Sequence, residues 1–145
     1  MNRVPILVAA SLFLLVSCSK DKFATKPSLS IKSINTTVEV QGILDVLFQY
    51  TSKKGNLGQG TFVVIRNRLN QEPVPINSAN TDTLTGPIPS YPDNSSAEFE
   101  LKLDWNTLHE TDDQDDSVIM KFAAIDRDGH SSDTIQSPLI IIKHP

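Results

Sequence analysis

Few residues in this sequence have types and spacings that imply chemistry, and the first of them is its single cysteine. Cys18 has no second cysteine with which to form a disulfide, so the chemistry left to it is that of a nucleophilic thiolate. Farther along, Asp112, Asp113, Asp115 and Asp116 place four carboxylates in five positions. Hard oxygen donors of this kind suit Ca2+. The alternating acids, glycine and distal glutamate of an EF-hand are absent from the run, so a solvated acidic loop stands beside calcium as the alternative reading. The three histidines, His109, His130 and His144, include one pair with an adjacent acid, His109-Glu110. The chain contains no Gly-x-Ser-x-Gly elbow, no His-Glu-x-x-His pair and no phosphate loop. The expectation is a protein that is not an enzyme and needs no cofactor other than Ca2+ as a candidate. Tyr91 stands in the segment Asn70 to Ser96 with five prolines. It is a candidate aromatic contact for a sugar or peptide, or else part of a loop braced by those prolines.

The elements that position these residues begin with an amino-terminal leader. Arg3 gives a positive start, and Ile6 to Val16 is apolar except for Ser11. A helix of that length rises about 16 Å, half of a hydrocarbon core about 30 Å thick. It is therefore too short to span a membrane and has the form of a secretory signal peptide. The expected organisation is a signal over 1–17, Cys18 and a polar tether over 18–28, and a domain over 29–145.

Leu15-Val16-Ser17-Cys18 resembles the lipobox of bacterial lipoproteins, at the position after a signal core where that motif belongs. The resemblance implies cleavage before Cys18, a diacylglycerol on its sulfur and an acyl chain, such as palmitate, on its new amino group. Several long chains at about 0.8 kcal/mol per buried CH2 anchor far more firmly than a single one. Ser19-Lys20-Asp21-Lys22 resembles the charged export signals of Bacteroidetes-type surface lipoproteins, with Lys22 where a second acid is usual. The implied address is the outer membrane, lipid-anchored, on either the periplasmic or the cell-surface face.

Loss of Arg3 with the signal moves the net charge from -4 to -5. An acidic domain does not suit nucleic acid, so the expected partners are the membrane, through the lipid, and an envelope protein or glycan. The rest of the chain reads as strands. Glu98 to Trp105 alternates strictly, with Phe99, Leu101, Leu103 and Trp105 on one face and charges on the other. Further strands are expected at Leu29 to Lys32, with Thr37 to Val40 continuing it, at Ile43 to Thr51 and at Thr61 to Arg68, with burial on both faces at the start of the last, where Val63 and Ile65 oppose Phe62 and Val64. Ser117 to Asp126 and Thr134 to Lys143 complete the set, with Pro138 favouring an edge or bulge. A short strand at Thr81 to Thr85 is expected beside the Glu98 strand, and Asp104 to His109 can form at most a helical turn. Asp126 to His130 is a hairpin loop in which Gly129 supplies the positive φ. About seven strands without helices predict an all-β, antiparallel, immunoglobulin-like sandwich.

The run Phe122 to Asp133 resembles the end of bacterial immunoglobulin-like and fibronectin type III-like domains, with His130 where asparagine is usual. Asp82-Thr83-Leu84, Asp116-Ser117-Val118 and Asp133-Thr134-Ile135 resemble the Asp-Ser/Thr-apolar triplets used for O-glycosylation in some Bacteroidetes. Thr83, Ser117 and Thr134 are thus candidate glycan acceptors. The functional expectation is a non-catalytic, membrane-anchored binding or adhesion module. The alternatives are an accessory subunit of an outer-membrane complex and a calcium-dependent module using residues 112–116.

Overall fold

The computed structural model describes residues 26–52, 58–70, 82–91, 96–110 and 112–145. Leu15, Val16, Ser17 and Cys18 lie outside these, as do 71–81 and 92–95 of the proline-bearing segment. Within them the order is β1 (Ser28–Ile34), β2 (Thr37–Val38), β3 (Ile43–Thr51), β4 (Thr61–Arg68), β5 (Thr83–Pro87), β6 (Ser96–Asp104), α1 (Trp105–Leu108), β7 (Asp116–Ile125), β8 (Ile135–Gln136) and β9 (Ile140–Ile142). One sheet runs β1-β3-β6 and the other β2-β9-β7-β4-β5, with β8 also paired to β7. The chain is an all-β, immunoglobulin-like sandwich.

Alternation explains how the layers meet. Leu44, Val46, Phe48 and Tyr50 of β3 are fully buried, while the residues between them are partly exposed. Val118, Met120, Phe122 and Ala124 of β7 face them from the other sheet, as the sequence pattern predicts. Phe48 is the hub. Its ring lies 5.0 Å from Phe62 and 4.9 Å from Phe122, both edge-on, and 5.2 Å from Phe99 beside it in its own sheet. Each such aromatic pair contributes about 0.5–1.5 kcal/mol beyond simple area burial.

Four local expectations change. The segment at Thr37 does not continue β1: β2 crosses to the other sheet and runs parallel to β9. The Asn35 side chain causes the break, because its amide donates to the carbonyls of Thr37 and Ile43 and its Oδ1 accepts from the Asp45 N–H. These bonds replace ladder contacts and free the chain to turn. The short strand near Thr81 is β5, and it pairs with β4 in the larger sheet rather than with β6. In β4 only one face is buried, since Ile65 is 43% exposed. The last strand is split into β8 and β9 around Pro138, which has no N–H to donate. Ser132 Oγ and Ser137 Oγ repair β7 where that edge is interrupted, accepting from the N–H groups of Ala124 (3.0 Å) and Met120 (2.9 Å).

One end of the sandwich is closed by α1. Asp104 caps it, its carboxylate accepting from the Thr107 N–H at 2.8 Å. Trp105 and Leu108 turn inward, and the indole N–H donates to the Lys143 carbonyl at 2.7 Å. Because Phe48 joins both sheets, Phe48→Ala should lower unfolding free energy by about 3–5 kcal/mol. Urea denaturation checks this, and a loss under about 1 kcal/mol would show that Phe48 is not central to the core.

Candidate functional site

The acidic run 112–116 does not converge on one point. Asp116 opens β7 with its side chain buried and accepts the Glu110 N–H at 2.7 Å. Asp115, one residue earlier, faces the C-terminal segment, where it accepts from Lys143 Nζ and contacts His144 Nδ1, both at 2.7 Å. These partners, with the His144 backbone N–H, hold the Asp115 carboxyl well below the usual carboxylate range. Asp112 lies 3.4 Å from His109 Nε2 and Asp113 is exposed. The expected calcium ligand set is therefore divided among separate partners, because Asp112, Asp113 and Asp115 lie in the bend before β7 while Asp116 is already in the strand with its side chain buried. His109 is not a solvent-facing loop residue either. Its ring stacks on Trp105 at 3.9 Å and 18°, and its side chain is only 12% exposed.

Behind Asp116 lies a buried ionic network that the sequence reading did not anticipate. Arg66 and Arg68 continue the inward stripe of Phe62 and Val64 on β4. Arg68 bonds Glu110 through Nη1 and Asp82 through Nε, the latter at 2.6 Å, while Arg66 Nη1 donates to the Thr107 carbonyl at 2.9 Å. Burial pushes the Glu110 carboxyl up, opposed by the two guanidinium groups, and burial also lowers Arg66. The signal available in the sequence was the switch from apolar to Arg at alternate positions of one strand. The network ties β4, the start of β5 and α1 together.

Tyr91 is half-buried, and its hydroxyl donates to the Glu98 carbonyl at 2.7 Å. Burial raises its pKa. The ring thus braces the approach to β6 and is not presented as an open platform. Of the candidate glycan acceptors, Thr83 and Thr134 are exposed, whereas Ser117 is half-buried inside β7. Ser117 lies between β4 and β9 in the sheet and donates its N–H to Asn70 Oδ1 at 2.7 Å. Among the described residues, metal-ligating donors converge elsewhere: those of Asp126, Asp128 and His130 lie within 4.8 Å of one another.

A concave site opens along the seam between the two sheets. The terminal strands of the sheet paths on this side are β5 and β6, and between them lies a groove of about 260 Å3. Phe62, Val64 and Leu84 line it from the larger sheet, and Phe99, Leu101 and Leu103 from the smaller. Leu101 and Leu103, read from the sequence as core, remain only half-covered. Gly86 is opposite Phe62 in the β4–β5 register and shares a face with Leu84. A Cβ built there meets nothing within 4 Å. Glycine at this position thus leaves space in the groove without any packing requirement for it. The alternation at β6 was legible, but which strand faced it was not.

No family model matches the chain, and no curated protein matches it. Among solved structures, it is similar to part of a β-glucosidase from Listeria innocua, with a TM-score of 0.45 and 10% identity over 83% of this chain. The chain spans only 16% of that enzyme's length. It is also similar to a cohesin module from a Clostridium perfringens family 33 glycoside hydrolase, with a TM-score of 0.40 and 10% identity over 83% of this chain and 99% of the module. Neither likeness extends to an activity.

The Asp115 latch carries a defined pH dependence. A carboxyl held below its unfolded value, near 3.9, adds stability that is complete above that value and is lost as pH falls through the folded pKa. Asp115→Asn should therefore lower the melting temperature at pH 7, and the gap from wild type should begin to narrow only below about pH 4. Melts across that range check it, and equal melting temperatures at pH 7 would remove the latch.

Proposed function

We propose that this protein is a non-catalytic binding module of the bacterial cell envelope, anchored to the outer membrane by lipid on Cys18. Its occupant is an extended, apolar segment of another envelope protein. The observation that carries this reading is the groove between β5 and β6, an apolar slot flanked by the terminal strands of two sheet paths. Terminal strands offer backbone donors and acceptors to an added strand, while alternate side chains of that strand enter the slot. A protein partner suits the lining better than a glycan does. Glu100 is its one charged residue, and its two aromatic residues, Phe62 and Phe99, are buried rather than presented as stacking faces. The anchor rests on the Leu15-Val16-Ser17-Cys18 sequence. Among the described residues no helix is long and apolar enough to cross a membrane.

Two measurements test the two halves separately. Cys18→Ala should move the protein from the detergent-soluble membrane fraction to the aqueous fraction, and full retention in membranes would overturn the lipid anchor. Gly86→Leu places a side chain in open space, so the variant should fold with an unchanged melting temperature while filling the groove. A photo-crosslinking residue at Thr85 should give a discrete adduct in intact cells for wild type and lose it in the Gly86→Leu background. The same adduct in both backgrounds, or none in either, would overturn the groove as the binding site.

A further inference from the structure

The turn after β7 gathers a different set of donors, independent of the groove. Asp126 follows the last residue of β7 and is buried, with 4% exposure. Its Oδ1 accepts the N–H groups of Asp128 at 2.9 Å and His130 at 2.8 Å. The two bonds fix the carboxylate plane and leave Oδ2 to face His130 Nδ1 at 3.1 Å. Two donors about 2.1 Å from one ion lie about 3.0 Å apart at a right angle and about 3.4 Å apart at the tetrahedral angle. The observed separation fits either geometry. Asp128, exposed at the turn's tip, completes a group whose donor atoms all lie within 4.8 Å. Gly129 makes the convergence sterically available, with φ at +86°.

A second observation comes from beneath the turn. Tyr50 is fully buried, and its hydroxyl has no hydrogen-bond partner. Burial, with the nearby charge of Asp126, raises its pKa to about 12. A buried phenol without a partner is costly, and Tyr50 and Asp126 are both buried at the same end of the sandwich, beyond the Phe48–Phe122 contact on β3 and β7. An ion at Asp126 would bring coordinated water into reach of such a group.

We propose that Asp126, Asp128 and His130 form a binding site for a divalent transition-metal ion, with Tyr50 as an outer partner. One imidazole nitrogen and two carboxylates suit Zn2+ and its neighbours better than Ca2+, whose ligands are oxygen. The backbone donors on Asp126 Oδ1 act as the outer shell that orients the first. Nδ1 must be unprotonated to bind, so occupancy displaces a proton.

Isothermal titration of the purified full chain with ZnCl2 tests the site. One Zn2+ per chain is expected, with a rise in melting temperature on loading that an equal concentration of CaCl2 does not produce. Affinity should fall at least tenfold in both His130→Asn and Asp128→Asn, and be unchanged in His144→Ala, which removes a histidine–aspartate contact elsewhere. Each variant's melting temperature without metal shows whether the turn survives, and amide shifts of Gly129 and His130 on titration locate the ion in wild type. The absence of binding, binding undiminished in His130→Asn, or a Ca2+ response as large as that of Zn2+ would each overturn the proposal.

Discussion

The fold depends on one constraint: two sheets must be joined across their inner faces by side chains alone, because the single cysteine cannot form an internal cross-link. Phe48 meets this constraint from the centre of the smaller sheet. It touches Phe62 and Phe122 on neighbouring strands of the larger one, and those two rings also stack on each other at 6.0 Å. Around this hub, Leu44 and Val46 face Val118, Met120, Ile140 and Ile142 in one continuous core. A sandwich held this way keeps its edges as chemistry allows. The edge beside β7 is patched by serine hydroxyls, whereas β5 and β6 end their sheet paths beside the groove.

Much of this architecture was written in alternation, and the rest was lost where alternation is short or silent. Phe99, Leu101 and Leu103 marked one face of β6, and Val118 to Ala124 marked one face of β7, because nine or ten residues display a period of two clearly. The two residues of β2 cannot display a period, and their departure to the other sheet is set by the hydrogen bonds of Asn35. β5 is similarly brief and contains Gly86, so its sequence did not reveal which strand it would join. The both-face burial expected of β4 failed at Ile65, since a hydrophobic pair of neighbours does not reveal whether a second layer covers the outer one.

Sites were less legible than strands, for a physical reason. The dense run at Asp112 to Asp116 straddles a bend and the first residue of β7, so its carboxylates became separate ion pairs and a buried hydrogen bond. In the turn at Asp126 the chain reverses, and residues two apart come together. Among the described residues, the donors that converge thus lie at the opposite end of β7 from the densest charge in the sequence. The arginines on β4 show the same separation of cues. Alternation places 66 and 68 on the inner face, and the carboxylates of Asp82 and Glu110, with the Thr107 carbonyl, make burial there tolerable.

The route by which the chain enters the domain has an electrostatic consequence. β1 begins beside the end of β3, and Lys26 pairs with Asp133 just past the turn at 126–130, so entry lies at that end of the sandwich. A strand the length of β7 puts the acidic loop about 30 Å farther away. At physiological ionic strength the Debye length is about 8 Å. Under the lipid anchor proposed above, a domain tethered through residue 26 and standing on that end would hold Asp112 and Asp113 several screening lengths from the bilayer. An anionic membrane would exert almost no repulsion on that loop, and the loop's field would act outward, on whatever approaches from solution.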